Sequence, residues 1–297
     1  MIKTIGCIGL GVMGAPIAAH LISAGYDVRG YARRENFFET EGAELIKSGM
    51  TAMSNPAAMA AECDLIITNV IAGEDVYEVL IGREDAVIHG AKSGANERSI
   101  VMDHSTIAPE MARQIGDGLK AHGVGWVDAP VSGGSIGAKA GTLVSMLGGD
   151  DTDIQAILEP LSAYTSGHRH IGGMGAGQVA KLCNQIAQVV TIEGVAEAMR
   201  FAAIHEVDQN AVMDVMMQGF ASSKMLALMA PKMIDEDFSA GMESRLHVKD
   251  LSIACHASSE MGQSLPATEL VCELLAEMQK KGWHKKDTSI LYQHIKK

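Results

Sequence analysis

The chain has 297 residues, 47% of them apolar and 4% aromatic, with 32 glycines, 19 methionines and a formal net charge of −12. That length suits one large or two ordinary domains with aliphatic, methionine-rich cores. The acidic balance argues against nucleic acid or an anionic membrane as the main partner, and no apolar run reaches the ~18 residues of a membrane span. Met1-Ile2-Lys3-Thr4 runs straight into a strand-like stretch, which reads as lacking a signal peptide. Cys7, Cys63, Cys183, Cys255 and Cys272 are scattered without CxxC spacing. They read as reduced, buried thiols of a cytoplasmic protein.

Thr4 to Ile8 reads as a short buried strand. Gly9-Leu10-Gly11-Val12-Met13-Gly14 follows, and a helical pattern then runs to Ala24 and stops at Gly25. This GxGxxG stands between a strand and a helix, the context in which it binds a dinucleotide. The first glycine permits the tight turn, the second lets a pyrophosphate approach the backbone, and the third lets the helix pack on the strand. The helix N-terminus then offers the phosphates unpaired N–H groups and a positive dipole end.

Asp27 to Tyr31 is the second strand. Its end normally carries a carboxylate for the ribose 2′-hydroxyl of NAD, but here stand Ala32-Arg33-Arg34. A guanidinium is permanently charged and planar, which suits a 2′-phosphate, so NADP is expected over NAD. Glu35, by pairing with an arginine or turning toward the ribose, is the residue that would reverse this; the alternative is an exposed basic loop.

Asp64 to Val70 is the next strand, and Val70-Ile71 falls beside the adenosine or pyrophosphate. Ser99 to Asp103 leads into His104-Ser105-Thr106-Ile107-Ala108-Pro109. Thr106 reads as a hydroxyl helix cap, with Pro109 in the first turn and Glu110 behind it. His104, with no evident partner, reads as structural. The strand through Trp126 ends in Pro130-Val131-Ser132-Gly133-Gly134, whose exposed N–H groups form the kind of nest that holds a carboxylate. Thr142 to Leu147 is strand-like. His168-Arg169-His170 lacks any HExxH or Cys/His cluster around it, so no metal is expected.

After Ile171 the pattern turns helical, over 178–205, 208–219, 222–235, 244–261, 266–281 and 287–295. The expected fold is an α/β N-terminal Rossmann-type dinucleotide-binding domain, residues 1–172, followed by an all-α C-terminal domain, residues 173–297, for substrate binding and oligomerisation. The long helix carrying Lys181 opens the second domain. Lys181, Asn184 and Gln185 stand at i, i+3 and i+4 on one helical face, with Gln188 one turn on. This is either a solvated surface lysine or an amine and two amides turned toward a ligand. The apolar neighbours Val179, Ala180, Leu182, Ile186, Val189 and Val190 favour the second. A lysine lowered toward neutrality by burial can give or take a proton. Cys183, at i+2, reads as a core residue. Lys249-Asp250, taken alone, reads as a surface ion pair.

Together these segments resemble the β-hydroxyacid dehydrogenase family, the group of 3-hydroxyisobutyrate dehydrogenase, tartronate semialdehyde reductase and the N-terminal part of 6-phosphogluconate dehydrogenase. The resemblance covers essentially the whole chain. Its marks are Gly9 to Gly14, Asp103-His104-Ser105-Thr106, Asp128 to Gly134, Gly175/Gly177/Lys181/Asn184 and Lys249-Asp250-Leu251. It implies Lys181 as general acid/base and Asn184, with Gln185, at the substrate. It implies Ser132, Gly133 and Gly134 on the substrate carboxylate, Thr106 beside the nicotinamide, Lys249 over the cofactor and Arg33 as the arginine of NADP preference.

Two positions depart from the pattern: Gln185 replaces a common second asparagine, and Met242 stands where an aromatic residue often precedes the Lys-Asp pair. Related imine reductases usually lack the lysine, so its presence favours alcohol and carbonyl chemistry. The implied activity is NADP-dependent hydride transfer at the carbinol of a small 3-hydroxy acid, 3-hydroxyisobutyrate-like, or its semialdehyde. Rival readings are a glyoxylate- or succinic semialdehyde-type reductase, a serine or threonine dehydrogenase, and a non-catalytic dinucleotide-binding module. Retention of Lys181, Asn184 and Ser132 argues against the last. The methionine-rich helical half, with the resemblance, suggests a homodimer or homotetramer.

Overall fold

A computed structural model describes residues 2–94 and 97–296. The chain divides into two units, Met1–Lys181 and Leu182–Lys297. In chain order the first contains β1 (Thr4–Ile8), α1 (Gly14–Ser23), β2 (Asp27–Tyr31), α2 (Ala43–Lys47), β3 (Thr51–Ala52), α3 (Pro56–Glu62), β4 (Leu65–Thr68) and α4 (Gly73–Tyr77). Then come β5 (Ile100–Asp103), α5 (Pro109–Ala121), β6 (Gly125–Asp128), β7 (Val131–Ser132), α6 (Gly134–Ala140), β8 (Leu143–Gly149), α7 (Asp151–Ser162) and β9 (Thr165–Gly172). The division falls within α8 (Ala176–Ile204), and α9 (Gln209–Gln218), α10 (Lys224–Ile234), α11 (Ser244–Glu260), α12 (Pro266–Lys280) and α13 (Leu291–Ile295) follow.

The strands form one sheet in the order β3-β2-β1-β4-β5-β6-β8-β7, with β9 also paired to β8. Strands β1 to β6 are parallel, whereas β8 runs antiparallel to β6 and β7. The chain leaves β1 to build β2 and β3 on one side, then returns to add β4, β5 and β6 on the other. That reversal is the switch point of a doubly wound sheet, where the crevice at the strands' carboxyl ends takes a ligand.

The central strands are apolar on both faces, as burial from both sides requires. Ile5, Cys7, Leu65 and Ile67 face Ile17 and Leu21 of α1, while Ile8 and Ile66 face Met59 and Ile115 on the other side. In the second unit the core joins Val189, Ile192 and Met199 of α8 to Met229, Met233, Leu275 and Met278. The flexible thioethers fill the irregular gaps between helices.

The main strands and helices expected from periodicity are present, with ends shifted by small amounts; the last segment is a 3-10 turn at Thr288–Ile290 running into α13. Three expectations need correction, and one strand went unread. Thr106 does not cap α5: Ala108 stands at the cap, no side chain bonds the helix end, and Pro109 starts the helix. Cys183 is exposed rather than core, and Cys255 and Cys272 are only partly buried; Cys7 and Cys63 are the buried thiols. Position i+2 of α8 turns Cys183 outward, which free-cysteine burial statistics do not foresee. Lys249 and Asp250 do pair, at 2.9 Å, but Asp250 is buried, so the pair is not a surface one. Edge strand β9 is largely exposed and carries no apolar alternation that would reveal it; its pairing with β8 is a tertiary event. No described helix is long and apolar enough to cross a membrane.

One carboxylate ties down the second unit's C-terminal segment. Asp287, 1% exposed, accepts hydrogen bonds from the amides of Gly241 (2.9 Å), Met242 (3.1 Å) and Ser289 (3.1 Å) and from Lys232 Nζ (3.2 Å). Burial alone would raise its carboxyl, but these backbone donors outweigh it and hold the group below its ordinary value. Asp287→Ala strands several buried donors, so it should cost about 2–4 kcal/mol in urea unfolding at pH 7. Because the folded value is depressed, this stabilisation is present above the ordinary carboxylate range and is lost as the pH falls through the folded value. The gap between wild type and variant should therefore narrow in acid. A pH-7 penalty under about 0.5 kcal/mol, the scale of a neutral surface change, would refute this account.

Candidate active site

The turn after β1 assigns each glycine of the fingerprint a separate task. Gly9 has φ +87°, and a Cβ there would stand 2.1 Å from the Asn69 carbonyl oxygen. A Cβ on Gly14 would stand 2.1 Å from the Gly9 carbonyl oxygen. Both contacts are with backbone and cannot yield. A Cβ on Gly11 would meet nothing within 4 Å. The middle glycine thus borders open space, while the other two make the turn and the close approach of α1. Leu10 is buried, Met13 is half-buried, and Val12 is 72% exposed. Val70 packs against Gly9, and Ile71 is 51% exposed at the end of β4. This cradle, at the N-terminus of α1 and the switch point of the sheet, fits the diphosphate of a dinucleotide.

At the end of β2 the two arginines differ. Arg34 donates to Glu41 at 2.6 Å and lies 5.5 Å over the Phe37 ring. Arg33, its side chain 82% exposed, is held more loosely, 3.6 Å from Asp75. Ala32 is half-buried and Glu35 is exposed.

A buried polar frame joins the loops at the carboxyl ends of β4, β5 and β6 to the start of α8. Asp103 and Asp128 stand opposite each other in the β5–β6 register. Asp103 accepts from Thr68 Oγ1 (2.7 Å) and from the Ser105 amide (3.0 Å). Asp128 accepts from the amides of Gly175 (2.8 Å) and Gln178 (3.0 Å). Burial pushes the Asp128 carboxyl up to about 7; the amide donors pull the other way, and the Asp103 carboxylate adds to the rise. Ser105 Oγ accepts from the Val70 amide at 2.9 Å. The Gln178 carboxamide takes the Ile107 amide on Oε1 (3.1 Å) and donates from Nε2 to the Ser105 carbonyl (2.9 Å). Thr106, half-buried, sits between those two peptide groups.

Lys181 follows one turn along α8 and is 7% exposed. Gly133 (φ +133°) and Gly134 (φ +59°) place the turn after Ser132 in a conformation open to glycine, and a Cβ on Gly134 would meet nothing within 4 Å. His104 is not a candidate acid or base. Its Nδ1 lies 2.6 Å from the Ala129 carbonyl and so must donate, which leaves Nε2 to accept from Tyr164 Oη at 2.8 Å. Burial pushes its imidazole down to about 4, against the pull of the Ala129 carbonyl, so the ring is neutral at pH 7.

In the second unit, Asn184 donates to Gln185 Oε1 (3.3 Å), and Gln185 Nε2 donates to Asp250 Oδ2 (2.6 Å). Lys249 Nζ stands 2.9 Å from the other Asp250 oxygen. The longer glutamine side chain is what reaches the carboxylate on α11, so Asn184, Gln185, Asp250 and Lys249 form one chain of contacts.

Residues 4–175 match the NAD-binding domain of 6-phosphogluconate dehydrogenase, and residues 175–295 match a domain described as the NAD-binding domain of NADP-dependent 3-hydroxyisobutyrate dehydrogenase. The chain belongs to the β-hydroxyacid dehydrogenase family. It is 34% identical to the uncharacterized oxidoreductase YkwC of Bacillus subtilis, with 98% of each chain covered. It is 31% identical to the 2-hydroxy-3-oxopropionate reductase of Escherichia coli over 98% of this chain and 96% of that one. The solved structure of Mycobacterium tuberculosis 3-hydroxyisobutyrate dehydrogenase with L-serine superposes with a TM-score of 0.88 at 28% identity, covering all of both chains. As a member of this family the chain is an NAD(P)-binding oxidoreductase of the 3-hydroxyacid dehydrogenase type, with a Rossmann-like domain and a helical C-terminal region.

Sequence reasoning gave no site role to Asp103, Asp128, Ser105, Gln178 or Asp250, although it quoted all but Gln178 within motifs. Asp128 and Asp103 stood inside quoted motifs, and their position at strand ends was the available signal. Gln178 carried none beyond its place one turn before Lys181.

The glycine geometry separates folding from binding. Gly11→Ala should leave stability within about 0.5 kcal/mol and weaken dinucleotide binding by about tenfold or more, ~1.4 kcal/mol. Gly9→Ala should instead destabilise the fold by more than about 2 kcal/mol. Urea unfolding and fluorescence titration of the reduced cofactor read the two effects. Unchanged affinity in Gly11→Ala would mean that the open side of the turn is not the diphosphate cradle.

Proposed function

We propose that this chain is an NADP-preferring dehydrogenase of a small 3-hydroxy acid, 3-hydroxyisobutyrate-like, or a reductase of the matching semialdehyde. The observation that carries the reading is Lys181: an amine 7% exposed, one turn into a helix whose start is fastened to Asp128 and to the Thr106 loop. A surface lysine needs no such support.

The nicotinamide, when bound, supplies the hydride chemistry. What remains for the protein is positioning and one proton transfer. Lys181 takes the hydroxyl proton in oxidation and returns it in reduction. Ser132 and the Gly133 and Gly134 amides hold the substrate carboxylate, and Asn184 orients the substrate with Gln185 beside it. Thr106 borders the nicotinamide, and Lys249 holds the cofactor from α11. Gly9 to Gly14, with Val70 and Ile71, bind the diphosphate and adenosine.

The cofactor preference is supported by the residues at the end of β2. No carboxylate occupies Ala32, and the loosely held Arg33 guanidinium is available to a 2′-phosphate in a way that Arg34, committed to Glu41, is not. A second reading, a 3-hydroxy amino acid such as serine, is supported by the L-serine accompanying the M. tuberculosis enzyme. Small-aldehyde reduction is supported by the name of the E. coli relative. Within the helical unit, Phe201 (63% exposed), Ile204 (59%) and Val215 (71%) support assembly as a homodimer or homotetramer, and the reading is completed by a cytoplasmic location.

Steady-state oxidation of 3-hydroxyisobutyrate, glycerate, 4-hydroxybutyrate, serine and threonine, with NADP and NAD in parallel, tests substrate and cofactor together. Arg33→Ala should weaken NADP binding by about tenfold, ~1.4 kcal/mol, with NAD binding nearly unchanged; equal loss for both would refute the 2′-phosphate role. Lys181→Ala should lower turnover about 10²-fold or more while cofactor affinity holds. Turnover that survives that change would refute the proton-transfer role.

A further inference from the structure

We infer that Gln178 is a positioning residue that holds the Thr106 loop and the Lys181 helix in one rigid frame, and so sets the path of the reaction. The inference rests on the proposed roles of Lys181 and Thr106. One carboxamide bonds both peptide groups that flank Thr106, the carbonyl of Ser105 at 2.9 Å and the amide of Ile107 at 3.1 Å. The Gln178 amide in turn bonds Asp128, and its side chain is fully buried. A planar group held at two points cannot turn without breaking both bonds, and at zero exposure no water replaces them. Lys181 lies three residues further along the same helix, on a neighbouring position of the same face. Ser105, held from one side by Gln178, also takes the Val70 amide on its hydroxyl, so the frame reaches the β4 loop.

The chemistry explains why such a frame matters. Oxidation of a carbinol breaks the C–H bond, with the electron pair leaving as hydride to the nicotinamide. It also breaks the O–H bond, with the proton passing to the Lys181 amine. The two transfers start from bonded atoms, so the acceptors must be placed relative to each other with sub-ångström tolerance. A misplacement of about 1 Å costs on the order of 10²-fold in rate. Gln178 touches neither substrate nor cofactor in this account and acts through the residues it holds.

The test uses the full-length protein, the panel member turned over fastest, and two variants. Gln178→Ala removes both bonds; Gln178→Glu keeps the acceptor for Ile107 and loses the donor to Ser105. Expected for Gln178→Ala is a kcat lower by about 10²-fold, a Kd for NADPH within about threefold, and a primary deuterium isotope effect from the hydroxy acid deuterated at its carbinol carbon that rises as hydride transfer becomes fully rate-limiting. Gln178→Glu should fall between that variant and wild type. In a Lys181→Ala background, Gln178→Ala should cost clearly less than it does in the wild type, because the part of its effect that passes through Lys181 is gone and only the part that passes through the Thr106 loop remains.

An unchanged kcat and isotope effect, or a full independent loss in the double variant, overturns the inference. Should Gln178→Ala not fold, Gln178→Glu decides on the same readouts. Failure of the underlying reading shows separately, as Lys181→Ala retaining wild-type turnover.

Discussion

The buried carboxylate of Asp128, accepting the amides of Gly175 and Gln178, is the interaction on which the site depends. A helix start leaves amides without intrahelical partners, and at the start of α8 Gly175 and Gln178 are buried. Asp128 meets two of those amides from the end of β6, and the local sequence leaves space for it. A Cβ on Gly177 would stand 2.6 Å from the Asp128 carbonyl oxygen, and one on Gly148 would stand 2.5 Å from its carboxylate. Gly177 and Gly148 therefore leave room for the Asp128 side chain and backbone.

That arrangement carries an electrostatic cost. Asp128 lies beside Asp103 in the sheet register, both with no solvent exposure. Asp103 is solvated by Thr68 and by the Ser105 amide; Asp128 is pushed up to about 7, chiefly by burial. A carboxyl that holds its proton more tightly when folded lowers stability as the pH rises from its ordinary value toward 7. Two buried acids side by side, each held by donors from neighbouring loops, fit a role in placing residues rather than in stabilising the fold.

The helical unit repeats the device with different partners. Asp250 gathers Gln185 and Lys249, and Asp287 gathers Gly241, Met242, Ser289 and Lys232. In each case a buried acid on one segment fixes the ends or faces of others, where apolar packing through methionine alone would leave orientation loose.

Local order was written in the sequence. Strand and helix periodicity, the glycine spacing at residues 9–14, the arginines after β2 and the Lys181-Asn184-Gln185 stripe are short-range patterns, and each follows from the pitch of a strand or helix. Even there, side-chain class misled: Cys183 faces outward and Thr106 caps nothing, because helix phase and a proline start outweighed residue preference. Only the tertiary structure could show that Asp128 meets Gly175 across 47 residues of chain, that Gln178 meets Ser105 across 73, and that Gln185 meets Asp250 across 65. Hydrogen bonds between such distant positions leave no periodic trace, since their partners are set by sheet order and loop placement. The sequence by itself determined the order of strands and helices and the local motifs within them; tertiary structure decided which buried polar groups those motifs meet.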